Sequence, residues 1–215
     1  MRLILFLTLT AGSPIDSGCP APVPPATVTR REVERELARV VDRSFPELKG
    51  VDIAVEEIRS KSDFFTSGYD PETVLKKGPS RSYRVYVNPR LFESPPSEAA
   101  IEAALAHELT HILDYTRLSP VALEKFTLRY ATGDDSKYER ATDQGALERG
   151  YGCGLIEYRR WLYAHVSRGT EAAKRRNYLT PEEIEAWLRE AENRRTGERG
   201  NGRAGIGDQG PGTGE

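Results

Sequence analysis

Two histidines stand four residues apart around a glutamate in the stretch AALAHELTHILDY, residues 103–115. In an α-helix, positions i and i+4 project from the same face, so the imidazoles of His107 and His111 can reach one metal ion. Glu108 follows His107 by about 100° around such a helix, which leaves its carboxylate beside the ion without binding it. A carboxylate there can take a proton from a metal-bound water, whose pKa the ion lowers. The pattern therefore indicates metal-assisted hydrolysis.

The alternative is that both histidines are ordinary polar residues of a helix that crosses the core. Leu105, Leu109 and Ile112 flank them, so the same turn would bury two imidazoles and a carboxylate without an evident partner, which costs free energy. The chain has three histidines in all, and HExxH is a zinc hydrolase signature even though short strings also arise by chance. The sequence therefore favours a metal site.

A catalytic zinc ion needs a third protein ligand and one open position. Arg117 stands six residues after His111, which excludes the metzincin arrangement with a third histidine at that place. His165 lies among apolar residues and is expected to be packed or at the surface. In the stretch KYERATDQGALERGYG, Glu139 and Asp143 lie four apart on one helix face. One carboxylate can bind the ion while the other accepts a hydrogen bond from the far nitrogen of a ligand histidine.

This pattern resembles the gluzincin clan of zinc metallopeptidases, the thermolysin-like group in which HExxH is followed by ExxxD on a second helix. By that resemblance His107, His111 and Glu139 hold one zinc ion per chain. Glu108 then activates the attacking water, and Asp143 supports the imidazole of His107. The separation of 28 residues between His111 and Glu139 leaves room for one intervening helix and a turn.

The identity of the third ligand stays open between three carboxylates. Asp134 and Asp135 form an acidic cluster that resembles the aspzincins, in which an aspartate is the third ligand. Asp135 or Asp143 can therefore take the place of Glu139. Alternatively, Glu139 does not bind metal and lies on a solvent-exposed helix face beside its charged neighbours.

The residue that stabilises the oxyanion of the reaction is not assigned. Zinc itself polarises a carbonyl, and a tyrosine, histidine or arginine usually assists. Tyr151, Tyr158 and His165 follow the third-ligand helix and could fold back onto the site, but tyrosines at such spacing are more often core residues.

Two short strands are predicted ahead of the site helix. Apolar and polar residues alternate over 51–56 and again over 83–88, which is typical of half-buried strands. Pro89 ends the second strand or confines it to a sheet edge, where free backbone groups can pair with an extended peptide. In the gluzincin resemblance such an edge strand lines the substrate cleft. The polar stretch 59–81 is predicted to be a long loop or a loose hairpin.

Helices account for most of the remaining chain. A capping box of Thr29 and Glu32 begins a first amphipathic helix, and an alanine-rich pattern predicts the site helix over about 98–115. Four further helical patterns begin near Ser119, Ser136, Leu155 and Thr180. Strands early and helices late indicate an α+β domain. We expect a small zincin-like domain with a short mixed or antiparallel sheet, an HExxH active-site helix and a mostly helical C-terminal half.

Composition changes along the chain predict four segments. Residues 1–18 carry one positive charge, an apolar run and then small residues, which is the layout of a secretory signal peptide. Residues 19–27 are a Pro-rich linker, 28–195 the zincin-like metallopeptidase domain, and 196–215 a Gly-rich tail predicted to be disordered. The apolar run is too short to cross a bilayer, so no integral membrane segment is expected after signal removal.

Charge and cysteine content bear on partners and location. The 31 basic and 33 acidic residues are interspersed and give a net charge of −2, so no basic field exists to hold nucleic acid. A peptide or protein substrate is the expected partner. The predicted location is periplasmic or secreted, with lipid attachment at Cys19 as the alternative. In an oxidising compartment Cys19 and Cys153 are able to pair, a point that the sequence leaves open.

These features together predict an exported zinc metallopeptidase that hydrolyses peptide bonds through a zinc-activated water, with Glu108 as the general base. The alternative is a non-catalytic, zinc-containing binding protein on the same fold. Glu108 counts against that alternative, because a structural zinc ion closes its fourth position and has no use for a carboxylate there.

Overall fold

The computed structural model describes residues 19–23, 25, 27–132 and 135–201. The predicted signal peptide, Asp134 and the tail beyond Asn201 lie outside these residues. The elements in chain order are α1 (Arg30–Ser44), β1 (Asp52–Glu57), β2 (Phe65–Tyr69), β3 (Ser82–Val87), α2 (Arg90–Glu93), α3 (Glu98–Arg117), α4 (Pro120–Thr132), α5 (Ser136–Glu148), α6 (Gly152–His165), α7 (Arg168–Asn177) and α8 (Pro181–Asn201). The protein is an α+β domain, mostly helical, as expected from the order of strands and helices.

A mixed sheet of three strands has the order β1-β3-β2. β1 runs parallel to β3, with Val55 opposite Val85, and β2 runs antiparallel to β3, with Ser67 opposite the same residue. The prediction that the strand over 83–88 is an edge is therefore wrong, because β3 is the central strand. Pro89 lies two residues after Val87, the last residue of β3, so it removes no hydrogen bond from the ladder, which agrees with the alternative that it ends the strand.

β2 arises within the stretch that the sequence predicts to be a loop or hairpin. Its sequence, FTSGY, has little alternation of apolar and polar residues, which explains why the pattern does not reveal it. Within the described residues β2 pairs only with β3, so its outer edge is free. It lies next to α3.

α3 is the central helix of the domain. Its first turn is capped by Ser97, whose side chain accepts a hydrogen bond from the Ala100 N–H. Ala103, Leu105, Leu109 and Ile112 are fully buried, since the helix packs against the sheet, α1, α5 and α6. His107, Glu108 and His111 are buried by the position of this helix in the fold.

Two glycines lie inside the first turn of α6. A Cβ on Gly154 would lie 2.2 Å from the carbonyl oxygen of Ala99, and one on Gly152 would lie 2.8 Å from the side chain of Leu188. Position 154 therefore needs glycine so that α6 can approach α3, because the obstacle there is backbone, whereas at position 152 the Leu188 side chain can move.

The two cysteines pair in the structure. Cys19 and Cys153 form a disulfide with a Cα–Cα distance of 5.4 Å across a sequence separation of 134 residues. The bond attaches the start of the Pro-rich linker to the first turn of α6. At the other end of the chain, α8 continues to Asn201, six residues past the predicted domain boundary at Arg195. None of the described helices combines the length and the apolar character that a membrane span requires.

Candidate metal centre

Three side-chain atoms converge at the middle of α3. The Nε2 atom of His107 lies 3.1 Å from Nε2 of His111 and 3.1 Å from Oε2 of Glu139, and the distance between the latter two atoms is 3.3 Å. In a tetrahedral zinc site with bonds of about 2.0–2.1 Å, ligand atoms lie about 3.3–3.4 Å apart. The triangle is therefore close to the size that one zinc ion requires, and the donor set of two imidazoles and a carboxylate is typical of catalytic zinc.

Two helices supply these atoms. His107 and His111 lie one turn apart on α3, and Glu139 comes from the first turn of α5. α5 approaches α3 closely at Gly145, where a Cβ would lie 2.8 Å from the side chain of Thr110. The local period of α3 aligns the histidines, whereas the packing of the two helices brings in the carboxylate.

Asp143 lies on the far side of His107. Its Oδ1 atom accepts a hydrogen bond of 2.8 Å from Nδ1 of His107, and its Oδ2 atom accepts one of 2.8 Å from the Leu179 N–H. Donation from Nδ1 leaves the lone pair of Nε2 directed at the candidate site, provided that the imidazole is neutral. Asp143 thus holds His107 in the tautomer that binds metal.

Arg159 is a buried member of this network that the sequence analysis does not identify. Its Nη2 atom donates to Oδ1 of Asp143 at 2.7 Å, and its guanidinium lies 4.4 Å from the ring centre of Tyr178. Only 3% of Arg159 is exposed. In the sequence it is one of two adjacent arginines in α6, and no local signal distinguishes the buried one from its exposed neighbour Arg160.

The ionisation of the site depends on these contacts. Burial lowers the pKa of His107, but its hydrogen bonds with Asp143 and Glu139 outweigh that effect and raise the pKa to about 10. Burial raises the pKa of Glu139, but the hydrogen bonds and charges of the two histidines outweigh it and hold this pKa well below its usual range. In the metal-free protein a proton on His107 therefore compensates the charge of the buried carboxylates.

A cavity of about 550 Å³ opens onto the three converging atoms. Thr66 and Ser67 of β2 line one part of it, and Lys174 and Asn177 of α7 line another. Glu108 faces the same cavity, 7% exposed. This cavity is open to an extended ligand, which could contact the candidate metal position, Glu108 and the free edge of β2.

α7 is a helix that the sequence analysis does not predict. It buries none of its residues, so it has no apolar face from which periodicity could reveal it. Its one local signal is the N-cap Ser167, whose side chain accepts a hydrogen bond from the Thr170 N–H. Lys174 joins α7 to the loop before β2 through an ion pair of 2.6 Å with Asp63.

The other sequence candidates occupy different places. Tyr151 donates a hydrogen bond to Ser44, and His165 stacks on Trp161 at 4.4 Å, so both are packed away from the cavity. Tyr158 borders a smaller neighbouring cavity. Asp135 lines the cavity at the candidate metal position, but it accepts a hydrogen bond from Asn177 and is not part of the cluster of His107, His111 and Glu139.

The cavity at the candidate metal position is also lined by three tyrosines, Tyr115, Tyr130 and Tyr178. The sequence pattern gives no signal for them. The Tyr130 hydroxyl donates to Oε1 of Glu139, the oxygen that faces away from the histidines. This bond leaves Oε2 as the atom of Glu139 that is directed at the candidate metal position.

No family model, no curated protein and no solved structure matches this chain. What the site can do is therefore inferred from its residues and their geometry.

Proposed function

We propose that this protein is an exported zinc-dependent peptidase with a gluzincin-like site. His107, His111 and Glu139 would bind the ion, and the observation that carries the proposal is the convergence of their three donor atoms within 3.3 Å of one another. A buried cluster of this kind needs compensating charge, which a proton on His107 supplies in the metal-free protein and a divalent cation would supply in the metal-bound protein. Glu108 on the same cavity favours catalysis over a purely structural ion.

The proposed mechanism assigns a separate task to each residue. Zinc, when bound, polarises a carbonyl group and lowers the pKa of a bound water. Glu108 accepts a proton from the attacking water and then donates it to the leaving amine. Asp143 holds His107 in the binding tautomer, and Tyr130 orients Glu139 through its hydrogen bond to Oε1.

The proposed substrate is an extended segment of a peptide or protein. The free outer edge of β2 can pair with the backbone of such a segment by strand addition. Thr66 and Ser67 of this strand line the cavity, so a paired backbone would run past Glu108 and the metal position. The proposed substrate-binding edge is therefore β2 and not the strand over 83–88, which is central in the sheet.

The disulfide supports export to an oxidising compartment. Bonds of this type are rare in proteins of a reducing cytosol and persist in the periplasm or outside the cell. Lipid attachment at Cys19 would use the same sulfur that the disulfide occupies. We therefore favour a periplasmic or secreted protein over a lipid-anchored one.

The test compares Glu108→Gln with the wild type and with Glu124→Gln, which changes an exposed glutamate of α4. Zinc content is measured by elemental mass spectrometry, and cleavage of a peptide library by mass spectrometry. We expect about one zinc ion per chain in all three proteins. Cleavage should fall by a factor of about 10² or more in Glu108→Gln alone, because the general base is lost.

Two outcomes contradict the proposal in different ways. A wild type that binds zinc but cleaves no member of the library favours the alternative of a zinc-containing binding protein. A folded wild type that takes up no zinc removes the metal site itself.

A further inference from the structure

Three carboxylates meet where α1 packs against the start of α3, outside the candidate metal centre. Glu36 comes from α1, and Glu98 and Glu102 come from the first two turns of α3. Each contributes one oxygen to a group whose atoms all lie within 4.8 Å of one another. Like charges at this separation repel, so the cluster requires positive charge or protons nearby.

Two arginines provide part of that charge. Arg39 contacts Oε1 of Glu36 at 2.7 Å and Oε1 of Glu98 at 3.0 Å. Arg43 contacts Oε2 of Glu102 at 2.7 Å. Three negative charges therefore face two positive ones, and each carboxylate retains a second oxygen that these ion pairs do not use.

The second oxygen of Glu36 is the feature that points to a missing partner. The Glu36 side chain is 8% exposed, and its buried Oε2 atom has no hydrogen-bond partner among the described residues. A buried acceptor without a partner is unfavourable, and a buried charge more so. Burial, the neighbouring charge of Glu98 and a hydrogen bond between the Glu36 and Glu98 carboxyl groups raise the pKa of Glu36 to about 7. Either a proton or a cation can satisfy this carboxylate.

We propose that Glu36, Glu98 and Glu102 bind a Ca²⁺ ion that joins α1 to α3. A site made only of carboxylate oxygens suits a hard cation. Ca²⁺ takes about six to eight oxygen ligands in a flexible geometry, whereas Mg²⁺ demands a near-ideal octahedron and gives up its waters reluctantly. Three carboxylates held in place by two helices therefore suit Ca²⁺ better. Water can complete the coordination, because the Glu98 side chain is 60% exposed.

The ion would stabilise the helix that carries the candidate metal centre without taking part in its chemistry. Glu102 precedes His107 by five residues on α3. A bridge from this position to Glu36 would tie α1 to the N-terminal half of the helix. The proposal does not depend on zinc binding or on peptidase activity.

The experiment is equilibrium dialysis of the intact protein against calcium, with thermal unfolding measured in parallel. Zinc-loaded and zinc-free samples are both used, so that binding at the histidine cluster is recognised separately. We compare the wild type with Glu36→Gln and Glu102→Gln. The control is Glu34→Gln, which changes an exposed glutamate of the same helix.

We expect about one Ca²⁺ per chain at millimolar calcium in the wild type and in Glu34→Gln, with a higher Tm than in magnesium. In Glu36→Gln and Glu102→Gln the affinity should fall at least tenfold. If Glu36→Gln does not fold, Glu102→Gln alone decides the outcome. The proposal is overturned if the wild type binds no calcium, or if the glutamine variants bind it as the wild type does. A shared proton between Glu36 and Glu98 would then account for the cluster.

Discussion

At the scale of single residues, Arg159 is the least expected part of the candidate site. It is buried beside Asp143, which in turn holds His107. Arg159→Met should lower zinc affinity by about 10–100-fold, because the support of a ligand histidine is disturbed. The loss of its charge also leaves Asp143 buried and less compensated, which should destabilise the fold by about 3–5 kcal/mol. Zinc affinity is measured by competition with a chromophoric chelator.

The matched control for this prediction is Arg160→Met, the adjacent arginine of α6. Its side chain is 61% exposed and pairs with Glu185, so zinc affinity should stay unchanged. Equal affinity in wild type and Arg159→Met would show that Asp143 positions His107 without the arginine.

The raised pKa of His107 predicts how metal binding depends on pH. Its pKa of about 10 in the metal-free protein means that zinc must displace a proton at neutral pH. Apparent zinc affinity should therefore rise about tenfold per pH unit between pH 7 and 9. Calorimetry in buffers of different ionisation enthalpy measures the proton released. The absence of proton release in that range would contradict the assignment of His107 as a ligand.

The raised pKa of His107 also predicts how the stability of the metal-free protein changes with pH. Because the pKa of His107 in the folded protein lies above the ordinary value of 6.5, the protonated imidazole contributes its full stabilisation below pH 6.5. It is lost as the pH rises from about 6.5 through about 10. Urea unfolding of metal-free protein across this range should show the decline, whereas zinc-loaded protein should not.

At the scale of elements, the close approach of α6 to α3 requires glycine at position 154. Gly154→Ala places a Cβ 2.2 Å from the backbone oxygen of Ala99, and neither backbone can yield cheaply. We expect a loss of about 1–3 kcal/mol in the free energy of unfolding, or more, from overpacking. Because α6 also carries Arg159, zinc affinity should fall with it.

Gly169→Ala is the matched control for that prediction. Gly169 lies in α7, and a Cβ there would meet nothing within 4 Å. Alanine should stabilise this helix by about 0.5–1 kcal/mol through its higher helix propensity. Urea unfolding of both variants gives the comparison, and a Gly154→Ala protein as stable as the wild type would refute the close packing of α3 and α6.

At the scale of the whole molecule, the disulfide closes a loop that includes most of the domain. Replacing Cys19 and Cys153 together by serine should lower the free energy of unfolding by about 2–5 kcal/mol, mainly by freeing the unfolded chain. The bond lies at the start of α6 rather than in the cavity, so zinc content should stay at the wild-type level. Urea unfolding and elemental mass spectrometry test the two expectations, and unchanged stability would show that the bond contributes little.

Local sequence determined the parts of the protein whose geometry lies within one helix. The period of an α-helix places His107 and His111 on one face, and the same period aligns Glu139 with Asp143. The capping box of Thr29 and Glu32 begins α1 as the sequence predicts. Contacts between neighbours in sequence are set by backbone geometry, so the pattern alone reveals them.

Tertiary structure decided everything that depends on residues far apart in the chain. It made β3 the central strand and β2 an edge strand, paired Cys19 with Cys153, brought Glu139 to the histidines and buried Arg159 beside Asp143. It also placed α7, which has no apolar face, along the cavity. The physical reason is that strand order, helix packing and burial arise from surfaces formed jointly by distant segments, and no single segment carries a periodic signal for them.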